Sequence, residues 1–171
     1  MRMSFRLGSY QDIPILETLW KQAQLEKAGL VRDPAFTSRH HQQYKDVFNG
    51  EMPGHIYLGY QNGQPVSFVW VNPELLDEQN TIGITELFST GKKGVGAKTL
   101  SMAEDLYTSF LDEGAALTVQ LDSVPSAVGF YQKQGYTQQG EGYMHLPMAK
   151  KLKKNNSPAW LNNQTNKPPK N

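Results

Sequence analysis

Apolar and polar residues alternate over residues 3–7, a period of two that predicts a strand. Gly8, Ser9 and Asp12 then supply a turn and a helix cap. Pro14 falls inside the first helical turn, where proline is tolerated. Ile13, Leu16, Leu19 and Trp20 follow at helical spacing, Ala23 extends the stripe, and Gly29 marks the expected stop. Residues 31–39 hold a proline and short polar residues and read as a loop. A short second helix is predicted over 40–49, ended by Gly50 and Pro53.

The sharpest local signal is Asn62-Gly63, which lies between alternating runs at 56–60 and 65–71 and predicts a β-hairpin. Another strand is predicted over 82–88. It runs into a glycine-rich loop and then a helix over 97–112, with Leu100, Ala103, Leu106, Tyr107 and Phe110 at helical spacing and Gly114 as its end. A buried-looking strand at 117–121, a short helix at 125–134 closed by Gly135, and strands at 136–139 and 143–148 complete the pattern. This order predicts a single mixed α/β domain over 1–149.

From Lys150 the chain turns to Lys, Asn and Pro, so 150–171 reads as a basic, largely disordered tail with Trp160-Leu161 as a candidate docking point. The 171-residue chain carries a net charge of +1, but six lysines and no acid lie from Lys150 onward. The body before it is therefore mildly acidic, which argues against nucleic acid as the main partner and suits a cationic amine. The basic tail leaves nucleic-acid attachment as a minor alternative. Cysteine is absent, which excludes disulfides, thiolate zinc sites and cysteine nucleophiles. No apolar run approaches a membrane span or a signal peptide, so no membrane partner and a cytoplasmic location are expected.

The candidate chemistry starts at the loop Gly91-Lys92-Lys93-Gly94-Val95-Gly96-Ala97-Lys98. Glycines between a strand and a helix let main-chain N–H groups line one concavity, and the helix adds its positive end. Such a loop suits a pyrophosphate, with Lys92, Lys93 and Lys98 adding charge. A P-loop reading meets an obstacle in Ala97, which intrudes between Gly96 and Lys98 and turns the lysine by ~100° on the helix. No acidic strand end follows to hold magnesium.

Residues 91–96 also resemble the coenzyme loop of the GNAT acyltransferases, [RQ]-x-x-G-x-[GA], matching both glycines and departing at Gly91. A second segment, Ala127-Val128-Gly129-Phe130-Tyr131-Gln132-Lys133-Gln134-Gly135-Tyr136, looks like that family's later motif, A-x-x-[FL]-Y-x-x-x-G-[FY]. It departs at Val124, where many members carry Asn. Together the motifs and the strand order cover about residues 3–148. The resemblance implies a twisted, mostly antiparallel sheet of six to seven strands flanked by about four helices. It also implies acetyl-CoA as co-substrate with no metal, and transfer of an acetyl group to a primary amine by direct attack. Family members are often dimers, so a homodimer is left open. A non-catalytic acyl-CoA sensor or scaffold on the same fold is the main alternative.

The resemblance gives Tyr131 the role of protonating the departing thiolate, and gives the backbone of Leu87 and Phe88 contact with the pantetheine arm. On its own, Tyr131 reads equally as a core tyrosine, sharing a helix face with Ala127, Phe130 and Gln134. Glu86 is the candidate base. Strand alternation puts it on a face with Ile82, Ile84 and Phe88, and apolar neighbours favour a raised pKa. Asp33, His40, His41 and Tyr44 lie in the region that shapes the acceptor pocket in that family. Adjacent histidines on a helix point ~100° apart, which disfavours a metal pair and favours surface histidines. Tyr143 and His145, alternating on the last expected strand, are further acceptor-side candidates.

Overall fold

The computed structural model describes residues 2–28 and 34–154. Seven strands form one sheet in the order β1-β2-β3-β4-β5-β7-β6. They are β1 (Ser4–Leu7), β2 (His55–Gln61), β3 (Gln64–Asn72), β4 (Thr81–Ser89), β5 (Ala116–Ser123), β6 (Thr137–Gln138) and β7 (Leu146–Lys153). Every neighbouring pair is antiparallel except β4 with β5. The helices are α1 (Ile13–Ala28), α2 (Pro34–Phe48), the four-residue α3 (Leu76–Gln79), α4 (Val95–Thr108) and α5 (Val128–Lys133). The single mixed α/β sheet expected from the sequence is therefore present.

The two faces of the sheet have separate cores, and β3 shows how they are divided. Its Phe68 and Trp70 pack with Ile13, Leu16, Leu19 and Trp20 of α1 and Tyr44 and Val47 of α2. Val69 and Val71 pack with Leu100, Ala103, Leu106 and Tyr107 of α4 and with Tyr131 of α5. Residues two apart on a strand share a face, so this alternation sends the helices to opposite sides. The hairpin turn has Asn62 and Gly63 both at positive φ, 52° and 75°, the backbone that the Asn-Gly pair predicts.

Several boundaries differ from expectation. Residues 34–39, read as a loop, belong to α2; Pro34 is its first residue, where the missing N–H costs nothing. The helix after the glycine loop begins at Val95 rather than Ala97. The last strand runs over Leu146–Lys153 instead of 143–148. Tyr143 thus lies outside the sheet, 95% exposed, and His145 precedes the strand, so alternation does not bring these two to one face. Lys150, Lys151 and Lys153, read as tail, pair with Val119, Thr118 and Ala116 of β5. Lys150 occupies an inward position because Glu104 of α4, itself buried, accepts from its Nζ at 3.0 and 3.1 Å. The Tyr136 hydroxyl donates to the same carboxylate at 2.9 Å. Trp160, Leu161 and Asp33 lie outside the described residues.

At the start of α1, Arg6 grips Asp12 with two bonds of 2.7 and 2.8 Å, and the Ser9 N–H donates to Asp12 at 2.8 Å. The Arg6 hydrogen bonds hold the Asp12 carboxyl below its ordinary pKa despite burial. A depressed folded-state pKa means that this stabilisation is present at neutral pH and is lost as pH falls through the folded value. Asp12→Asn is expected to cost about 1–2 kcal/mol at pH 7, since Arg6 is partly exposed. Urea unfolding at pH 7 and in the acid range checks it: the difference between variant and wild type shrinks on acidification.

Candidate functional site

The site begins where the sheet opens. β4 and β5 pair from Thr81↔Thr118 to Ile84↔Leu121 and no further. Beyond that point β4 continues along β3 to Ser89↔Ser67, and β5 continues along β7 to Ser123↔Leu146. Residues 85–89 therefore keep one strand edge free of β5. Main-chain polar groups on such an edge need partners, and an extended ligand can supply them.

A β-bulge sits at the opening. Val71 faces Ile84, whereas Trp70 faces Glu86, so Thr85 is an extra residue on β4. The bulge resets which side chains share a face. Ile82 and Ile84 point into the α4 core, while Glu86 and Phe88 lie on the α1–α2 side with Trp70 and Phe68. The expectation that Glu86 shares a face with Ile82 and Ile84 is thus overturned, and its grouping with Phe88 holds. Strict alternation cannot foresee an inserted residue.

Glu86 is mostly enclosed, with its side chain 14% exposed, and both of its oxygens are engaged. His40 Nε2 lies 3.0 Å from Oε1, and the Tyr44 hydroxyl donates to Oε2 at 3.1 Å. Tyr44 is fully buried, and burial followed by the Glu86 charge pushes its pKa up, so it remains a neutral donor. His40, read as a surface histidine, is only 12% exposed in its side chain and rests on the Trp20 ring at 4.7 Å between centroids. His41 points away and meets Glu17 of α1. The divergence of adjacent helical residues thus holds, but it carries His40 inward. Nothing in the sequence spacing linked His40 to Glu86, because the link crosses from α2 to β4. Among the described residues no cluster of three metal-ligating side chains occurs.

The glycine loop closes the other end of the opening. Gly94 caps α4 at φ +84° with no side-chain hydrogen bond. The Val95 N–H donates to Lys92 O at 3.2 Å and the Lys98 N–H to Gly94 O at 3.0 Å. The amides of Gly96 and Ala97 remain among the groups that a helix start leaves without an intrahelical acceptor. A Cβ on Gly96 would meet Ser89 Oγ at 3.2 Å and Phe130 Cζ at 3.5 Å, so the end of β4, the loop and α5 converge there. The neighbouring Thr90 hydroxyl is buried without a partner among the described residues. Lys92, Lys93 and Lys98 are exposed, as is Gly91. Helix-start amides, an unpaired hydroxyl and nearby lysines are groups that suit a pyrophosphate. Thr99 anchors the assembly: its Oγ1 lies 2.6 Å from Ser67 Oγ of β3.

Tyr131 is 8% exposed, with its ring against Phe130 and Tyr136 at 5.0 and 5.7 Å. Burial pushes the pKa of its hydroxyl up to about 12. Leu87 and Phe88 lie within the free edge, Phe88 packed on Phe68 at 5.1 Å. Val124, extended and 45% exposed, offers no polar side chain where β5 ends.

On the α1–α2 side, the sheet beyond those helices is bare. The registers line up Asn72, Gly83, Gln120, Ala149 and Thr137 in one row across five strands. They belong to a trough of about 1030 Å³ that reaches Thr85, the residue beside Glu86. Gly83 and Ala149 keep its floor low, and its walls mix amides and hydroxyls with apolar and charged side chains.

No protein-family model matches the sequence, and no curated protein is similar to it. Solved structures are similar. The PaiA N-acetyltransferase from Thermoplasma acidophilum, solved with coenzyme A, has a TM-score of 0.68 at 14% identity over 89% of this chain and all of that one (100%). A GCN5-related N-acetyltransferase from Rhodopseudomonas palustris has a TM-score of 0.63 at 20% identity, covering 89% and 99%. The aminoglycoside acetyltransferase AAC(6')-Ib, also solved with coenzyme A, has a TM-score of 0.62 at 20% identity, covering 87% and 94%. At these identities it is the fold that is shared.

The Glu86 contacts predict a contrast between two variants. Glu86→Leu removes the ion-pair partner of His40 and strands the Tyr44 donor in a poorly solvated site, and is expected to destabilise the protein by about 2–3 kcal/mol. Glu86→Gln keeps an acceptor and costs less. Urea midpoints of the two variants, measured at one pH, check the order.

Proposed function

We propose, from the premise that this chain has the fold of the GNAT N-acetyltransferases, that it moves the acetyl group of acetyl-CoA to a primary amine by direct attack. The observation that carries the reading is the opening between β4 and β5. Glu86 lies on β4 beside it, and Glu86 and Tyr131 are the proton-handling groups of this proposal. Two neighbours of this fold were solved with coenzyme A, which supports acetyl-CoA as the co-substrate.

In this proposal the thioester supplies an acyl group already activated for attack. The loop residues Gly91, Lys92, Lys93, Gly94, Val95, Gly96, Ala97 and Lys98 bind the pyrophosphate through amides and charge. The free edge of β4 at Leu87 and Phe88 hydrogen-bonds the extended arm and orients the carbonyl for attack. Glu86 accepts a proton from the acceptor's ammonium, directly or through water, so that a neutral amine forms next to the carbonyl. Tyr131 keeps its proton at neutral pH because of burial, and in this proposal its hydroxyl donates toward the sulfur. A phenol raised this far is a weak acid. It acts first as a hydrogen-bond donor and gives up its proton only as charge builds on sulfur.

The acceptor enters from the α1–α2 side, where the trough reaches Thr85, next in sequence to Glu86. Non-catalytic acyl-CoA binding is the second reading, favoured by the apolar Val124 at the end of β5. Calorimetry with acetyl-CoA and a free-thiol assay over a panel of primary amines test both. Binding with turnover supports transfer, binding without turnover supports the sensor, and no binding removes both.

Two variants probe the parts separately. Gly96→Val places carbons against Ser89 and Phe130 and narrows the concavity. Acetyl-CoA affinity by calorimetry is expected to fall at least about tenfold, the loss of a single good contact or more. Tyr131→Phe removes only the hydroxyl. Its acetyl-CoA affinity is expected to hold while kcat falls by about 10²-fold, the lower range for a lost acid. Unchanged turnover in Tyr131→Phe would remove that residue's assigned role.

A further inference from the structure

We propose that His40 sets the pH at which Glu86 can serve as a base, so that the two titrate as one unit; this rests on the transfer reading above. The imidazole touches the carboxylate at 3.0 Å, and Tyr44 holds the second carboxylate oxygen at 3.1 Å. The imidazole is itself fixed, against the Trp20 ring on one side and edge-on to Tyr44 at 6.2 Å on the other. At 3.0 Å a change of charge on one is felt by the other.

The charge count gives the direction. With a neutral imidazole the unit carries one negative charge, which attracts an ammonium acceptor and takes its proton: an N–H bond of the ammonium breaks and an O–H bond forms on Glu86. With an imidazolium the unit is neutral, and the carboxylate is bound in an ion pair. Acidification then removes the attraction and the base together. Among the described residues, Tyr44 on α2, which stays neutral, and Glu17 on α1, which contacts His41 and whose charge reaches Tyr44, also face this unit. Glu86 enters from β4. Two groups interacting this closely have ionisations that belong to the pair rather than to either member.

Two measurements on the full-length protein test this. The first needs no acceptor: imidazole titration by nitrogen-detected NMR, with His40 assigned by its loss in His40→Gln. Removing the anion in Glu86→Gln is expected to move the His40 titration down by about one pH unit or more, the scale of a coupled pair. An unmoved titration overturns the proposal. The second follows free-thiol release from acetyl-CoA with ethylamine as probe acceptor across pH. The acid limb of kcat is expected in the imidazole range for wild type and in the carboxylate range for His40→Gln, whose amide keeps a donor to Glu86 but cannot titrate. The same limb in both proteins overturns the role of His40 while leaving acetyl transfer intact. No heat with acetyl-CoA and no thiol from wild type would instead overturn the transfer reading, and with it the catalytic part of this proposal.

Discussion

The extra residue Thr85 in β4 is the constraint from which the rest of the site follows. It ends the parallel pairing with β5 at Ile84↔Leu121 and turns Glu86 from the α4 core to the α1–α2 side. Without it, period-two alternation would bury the carboxylate among aliphatic side chains, away from His40 and Tyr44. With it, one strand has an apolar stem in each core, a free edge between them and a carboxylate at the junction. Pairing is retained with β3 on the other edge, so the departure from β5 leaves β4 anchored along its length.

The two cores hold that geometry from opposite sides. On one, Tyr44 is buried against Phe68 and Trp70 and reaches Glu86 with its hydroxyl, so the packing of α2 also aims the carboxylate. On the other, Thr99 meets Ser67 and fixes the start of α4 against β3, and Phe130 brings α5 to Gly96. The loop glycines act through what they lack. Gly94 adopts a backbone that side chains rarely take, and Gly96 leaves the space where Ser89 and Phe130 come close. A polar tie deeper in the protein, Glu104 with Lys150 and Tyr136, joins α4 to β7 and the segment before β6. Its charges are paired and hydrogen-bonded, the condition under which buried ions are tolerated.

The transfer chemistry proposed for this arrangement divides its tasks by element. Main-chain groups bind and orient, and side chains move protons. Such a division suits a fold in which backbone geometry is common to many sequences at 10–20% identity while individual side chains differ. Gly91 and Val124 depart from the pattern that the sequence resembles, whereas Gly94, Gly96 and Tyr131 keep it.

The sequence alone determined what depends on neighbours along the chain. The Asn62-Gly63 hairpin, the capped start of α1, the glycine turn into α4 and the helix bearing Tyr131 are set by local backbone preferences and periodicity, and all lie where the pattern put them. It also singled out Glu86, but for a face that the bulge changed. Tertiary structure decided what depends on partners distant in sequence. Whether Lys150 belongs to a tail or a strand turns on Glu104, and whether His40 lies at the surface or against a carboxylate turns on Glu86 and Trp20. A lysine or histidine can enter a core only where an opposite charge or a ring awaits it, and no local pattern records where that partner stands.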